Sequence, residues 1–159
     1  KAFKNGKDKE ARENLMVGST LAGIAFSNSS VALVHGMSRP IGAFYHVPHG
    51  LSNAMLLPTV TEFSIPGATM KYSECAKAIG IAKYNDSIED SNKKLLTELK
   101  QLNIDLEVPS LKEFDIKKEI FMKNIDTMAT QAIASGSPNN NPIIPNHKEL
   151  VLLYEKLWN

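Results

Sequence analysis

The chain has 159 residues, enough for one domain with a sizeable core, and 43% of them are apolar against 22% charged. Eighteen basic and seventeen acidic side chains leave a formal charge of +1, without the basic excess that nucleic-acid or membrane-surface binding requires. A single cysteine, Cys75, excludes an internal disulfide and any cysteine-based zinc cluster.

The N-terminal stretch KAFKNGKDKEAREN is polar, starts without Met and holds no apolar run of a signal peptide. A piece of a longer cytoplasmic, bacterial protein is expected. No run reaches membrane-spanning length. From Asp8 to about Phe26 the pattern predicts a first helix, with Leu15, Val17, Leu21, Ile24 and Ala25 apolar and Gly18, Ala22 and Gly23 small. SNSS at 27–30 supplies capping residues, so a second helix is expected from Ser29 or Ser30. It runs through VALVHGM, apolar on every side as in a buried helix, until Pro40 and Gly42 end or kink it.

Pro48 precedes a third helix with His49 at its mouth, bent at Pro58. A fourth spans Pro66 to Ile79 and stops at Gly80. A fifth spans Asp86 to Asn103, with Leu95, Leu96, Leu99 and Leu102 in one stripe. VPSLKEF at 108–114 reads as a loop with a short turn, and Ile116 to Ala134 as a sixth helix. A turn-rich loop, SGSPNNNPIIPN, precedes a last helix from His147 to Trp158. No segment alternates as a strand does, so the fold class is all-α, a multi-helix domain of about seven helices occupying residues 1–159.

Three of the four histidines fall within HGMSRPIGAFYHVPHG, residues 35–50. His35 and Arg39 stand one helical turn apart on one face. The Pro/Gly-broken connection lets the chain turn back, so His49 can approach His35 from the next helix. Two imidazoles make half a site for a divalent metal such as zinc or ferrous iron, since catalytic sites hold three or more protein ligands. By spacing alone, two buried, hydrogen-bonded structural histidines are the better reading. His46 aims elsewhere, His147 in NHKE reads as a surface residue, and Glu62 lies on the polar side of its helix. Cys75, Met37, Met55 and Met70 read as core, and the lysines between 93 and 123 as solvated helix faces. GSTLAG and IPGATMK lack the spacing of a dinucleotide or phosphate loop.

The segment AGIAFSNSSVALVHGMSRPIGAFYHVPHGLSNAMLLP, residues 22–58, resembles the C-terminal helical domain of the iron-containing (group III) alcohol dehydrogenases. The matching elements are Asn28, His35, PIGA at 40–43, PHG at 48–50 and NAMLLP at 53–58. VPSLKEF and the SPNNNP loop look similar too, and the domain would be of the dehydroquinate synthase-like type. In that family one aspartate and three histidines hold a divalent metal. The resemblance implies His35 and His49 as two of these ligands, with the aspartate and third histidine on a helix upstream of residue 1. It also implies an upstream domain binding NAD or NADP, Fe²⁺ or alternatively Zn²⁺ as the metal, a small alcohol or carbonyl substrate, and a homo-oligomer.

Two positions depart from the family pattern. Many members carry a second histidine four residues after the first, where this chain has Arg39. An arginine stays charged and presents five donors, so it can hold a cofactor or substrate oxygen but cannot relay a proton. The terminal N-P-R of many members is Asn141, Pro142 and Ile143 here. Gly42 and Gly50 are expected to serve backbone approach and turn geometry. The expected activity is NAD(P)-linked interconversion of an alcohol and its carbonyl, with the 159 residues alone inactive. Two alternatives are a metal-free carbonyl reductase, as in maleylacetate reduction, and a non-catalytic helical domain with structural histidines.

Overall fold

A computed structural model describes residues 1–158, which form two compact units, Lys1–Val31 and the residues from Ala32 onward. All regular structure among the described residues is helical.

The first unit is built around α1, Lys9–Ser29. Asp8 caps it, its side chain accepting from the Ala11 N–H at 3.0 Å, and Glu10 lies in the positive first turn. SNSS does not cap the next helix. Ser27, Asn28 and Ser29 form the last turn of α1 and bond back to the carbonyls of Gly23, Ile24 and Ala25. Ser30, at φ 66°, ends the helix. No residue of α1 is buried, in spite of Leu15, Val17, Leu21 and Ile24.

The second unit holds α2 (Leu33–Tyr45), α3 (His49–Ser64), α4 (Thr69–Ala78), α5 (Ile88–Asp105), α6 (Lys118–Ala134) and α7 (His147–Trp158). Short 3-10 turns occupy Ile65–Gly67 and Ser137–Asn140. α2 packs on α3 and α6, α3 on α5 and α7, α6 on α7, and α4 on α5. The main core gathers Leu33, Met37 and Ile41 of α2, Leu56 and Val60 of α3, Phe121 and Met128 of α6, and Leu150 and Tyr154 of α7. The Tyr154 hydroxyl donates to the Met37 carbonyl at 2.8 Å, tying the last helix to the one that carries His35.

Pro40 does not end α2. The helix runs five residues further and closes where His46 adopts the left-handed conformation at φ 56°, its N–H donating to the Gly42 carbonyl. A proline removes one helical bond, and this one is buried among its neighbours, so tertiary burial outweighs the local cost. Pro58 likewise sits inside α3 and is buried. The expected fourth helix divides at Ala68, because Gly67 lies against the 142–143 loop. A Cβ on Gly67 would meet Ile143 and the Pro142 carbonyl at 2.7 Å.

Cys75 and Met70 are exposed, contrary to the core reading. The buried side of α4 is Ser73 and Ala76, with Tyr72 half-buried beside them, and both sulfur side chains are out of phase with it. Met37 and Met55 are core residues as expected. The α5 stripe grades from buried Leu95 to exposed Leu102.

Candidate metal centre

The site begins with the three residues that separate α2 from α3. His46 turns the chain, Val47 anchors it in the core and Pro48 holds an extended conformation immediately before the next helix. A Cβ on Gly42 would stand 3.3 Å from the Val47 carbonyl, so the small residue lets the backbone return closely. Among the described residues Gly50 has no such role, because a Cβ there would meet none of them within 4 Å. The Ser52 N–H donates to the Pro48 carbonyl at 2.9 Å, which starts α3 with His49 as its first residue.

This turn brings His35, in the first turn of α2, to His49. Their ring centroids lie 5.1 Å apart with the planes inclined at 56°. Hydroxyls fix both backbones locally. Ser38 donates to the His35 carbonyl at 3.2 Å and Ser52 to the His49 carbonyl at 3.0 Å. Arg39 follows His35 by one turn, is exposed and makes no ion pair among the described residues. Partial burial, the His49 ring and the Arg39 guanidinium together hold His35 below the usual imidazole range. The neutral ring with a free lone pair, the form that ligates metals, is thereby favoured.

The other titratable candidates stand elsewhere. His46 is exposed at the end of α2. His147, half-buried, faces α6, with Asp126 at 3.5 Å and the Thr130 hydroxyl at 3.2 Å. Glu62 is paired with Lys156 at 2.6 Å. Among the described residues no three histidine, cysteine, aspartate or glutamate side chains gather as a potential ion-binding group.

Asn53 also belongs to the site, although the sequence reading does not single it out. Its amide nitrogen lies 3.1 Å from His49 Nε2, and its Oδ1 is buried without a hydrogen-bond partner among the described residues. The signal is present in the residues: Asn53 follows His49 by four in a predicted helix, the spacing at which side chains meet.

The second unit is thus an all-helical body in which two imidazoles from consecutive helices stand side by side. The chain belongs to the Fe-containing alcohol dehydrogenase family, whose C-terminal model matches residues 1–158. It is 35% identical to an NADPH-dependent butanol dehydrogenase from Clostridium saccharobutylicum, over 95% of this chain and 39% of that protein. It is 34% identical to a lactaldehyde reductase from Escherichia coli strain K12, again over 95% of this chain and 39% of that protein. Among solved structures, a 1,3-propanediol oxidoreductase superposes with a TM-score of 0.90 at 29% identity, over 98% of this chain and 40% of that one. An iron-containing alcohol dehydrogenase from Thermococcus thioreducens gives 0.84 at 34% identity, over 95% and 38%. The chain therefore spans about two fifths of the length of these relatives.

Proposed function

We propose that the protein containing this chain interconverts an alcohol and its aldehyde or ketone with NAD or NADP, and that His35 and His49 are two ligands of its divalent metal. The observation that carries the reading is the 5.1 Å separation of the two rings. Two imidazoles bound at about 2.1 Å place an ion about 3.2 Å from each ring centre, so a separation near 5 Å corresponds to an angle of about 105°. The pair therefore fits a shared ion.

When bound, such an ion supplies Lewis acidity at the alcohol or carbonyl oxygen while hydride passes to or from the nicotinamide. The chain's own residues bind and orient. His35 and His49 present their rings from two helices fixed on one core. Arg39, exposed beside them, holds a cofactor or substrate oxygen by charge and hydrogen bond and relays no proton. We place the remaining ligands and the nucleotide-binding domain outside these 159 residues, with Fe²⁺ the first candidate metal and Zn²⁺ the second. A cytoplasmic homo-oligomer belongs to the same proposal.

The test is metal content and NAD(P)-linked alcohol oxidation in the full-length protein. The unaltered protein should hold one Fe²⁺ or Zn²⁺ per subunit and turn over. His35→Ala and His49→Ala should each lose both properties, and the 159-residue chain alone should bind metal weakly and show no turnover. Full turnover in either histidine variant would contradict the assignment.

A further inference from the structure

Of all residues in the chain 22% are charged, yet residues 14–61 hold a single Asp, Glu, Lys or Arg, and it is Arg39. That stretch includes all of α2 and the first three turns of α3. Around Arg39, the side chains of Met37, Ser38, Pro40 and Ile41 are buried, and Arg39 is the exposed position between Leu33 and Gly42. The core thus grips α2 on both sides of one outward charge. Solubility is served differently elsewhere: α5 spreads Glu89, Asp90, Lys93, Lys94, Glu98 and Lys100 along its outer faces.

The charge stands beside the imidazole pair. Arg39 follows His35 by one turn, and helical side chains lean toward the N-terminus, over the turn before. Its guanidinium acts on the His35 ring, as one of the causes that hold that ring below the usual imidazole range. The His49 ring lies 5.1 Å from that of His35. No side chain among the described residues forms an ion pair or hydrogen bond with Arg39, and Glu62, the one acid of α3, is taken by Lys156. A guanidinium presents a planar fork of donors that matches a carboxylate with two parallel hydrogen bonds. The phosphates of a nicotinamide cofactor are separated from its reacting carbon by the ring and the ribose. A group carried on the substrate is only a few bonds from the reacting carbon, which suits a charge one helical turn from the imidazoles.

We infer that Arg39 is a specificity residue that binds a carboxylate on the substrate, so that the substrate class is a hydroxy acid and the corresponding oxo acid; this rests on the alcohol–carbonyl reaction proposed above. The hydroxy acid gives a hydride to NAD(P)⁺ and releases a proton, and the carboxylate passes through unchanged while the guanidinium holds it.

The full-length protein tests this with aldehydes that differ in charge: glyoxylate against its methyl ester, and succinic semialdehyde against its methyl ester. In the unaltered protein kcat/KM with NAD(P)H should favour the acid of at least one pair. The acid-to-ester ratio of that pair should fall about 10–100-fold in Arg39→Ala, and less in Arg39→Lys, which keeps the charge without the fork. A second readout needs no turnover. In the metal-free protein, where a carboxylate has no ion to bind, the calorimetric Kd of unreactive butanoate should rise by a similar factor in Arg39→Ala. A shared melting temperature would show that the variants fold. Turnover of the esters with no preference for either acid overturns the inference, as does a preference that survives in Arg39→Ala. Weakened NAD⁺ or NADP⁺ binding in Arg39→Ala with an unchanged acid-to-ester ratio assigns the guanidinium to the cofactor phosphates and overturns it too. Absence of turnover with every aldehyde instead removes the proposed reaction, and the inference falls with it.

Discussion

Two helical pairs of the second unit differ in what supports them. α2 and α3, which carry His35 and His49, stand on a core that draws side chains from α2, α3, α6 and α7, among them Phe121, Leu56 and Tyr154. α4 and α5 share a much smaller cluster, Ala76, Ala82 and Leu95, edged by Tyr72, Ile81 and Leu99. The difference lies in where long-range packing is concentrated, and the site occupies the heavily packed side. A pair of imidazoles has to be held to within fractions of an ångström, and only a densely packed base does that.

The largest effect that would break this comparison comes from its two cores. Phe121 is fully buried against the rings of Tyr45 and Trp158, so Phe121→Ala should cost about 3–5 kcal/mol in chemical denaturation. Leu95→Ala should cost about 2 kcal/mol, the low end for a buried leucine, because a small cluster at the edge can collapse around the gap. Equal losses would show that the two clusters belong to one cooperative body.

A smaller effect sharpens the same contrast at the surface. Lys156 of α7 donates to Glu62 of α3 at 2.6 Å, and this bond holds the Glu62 carboxyl below its ordinary range. A carboxylate with a depressed pKa contributes stability above its unfolded value and loses it as pH falls through the folded one. Both side chains are substantially solvated, so Lys156→Met should cost at most about 1 kcal/mol at pH 7. The difference from the unaltered protein should shrink below about pH 4, as the Glu62 carboxyl becomes protonated in both. A pH-independent difference would mean that the lysine stem packs and its charge does nothing.

Much of this architecture is legible in the residues themselves. Asp8 marks the start of α1, Pro48 and His49 the start of α3, and the turn-rich 135–146 segment the approach to α7, because capping and turn chemistry are local. Pro40 is less legible for the opposite reason. Its effect on α2 is decided by the neighbours that bury it, which no local pattern records. SNSS shows the same ambiguity, since serine and asparagine bond back to the preceding turn as readily as they cap the following one. Cys75 and Met70 illustrate helical phase: each is apolar, and only the packing of α4 on α5 shows that both stand on its outer side. At the site, motif likeness points to His35 and His49, while spacing alone prefers structural histidines. The contact of Asn53 with His49 becomes visible only with the side chains in place.

The central claim is that these two imidazoles share one cation. The most direct measurement is anomalous diffraction at the zinc edge from crystals of the full-length protein loaded with Zn²⁺. The expected result is a single strong peak per subunit within bonding distance of a ring nitrogen of His35 and of His49, about 2.0–2.1 Å from each. A peak bonded to only one of them, or a fully loaded ion elsewhere in the subunit with both rings free, would contradict it.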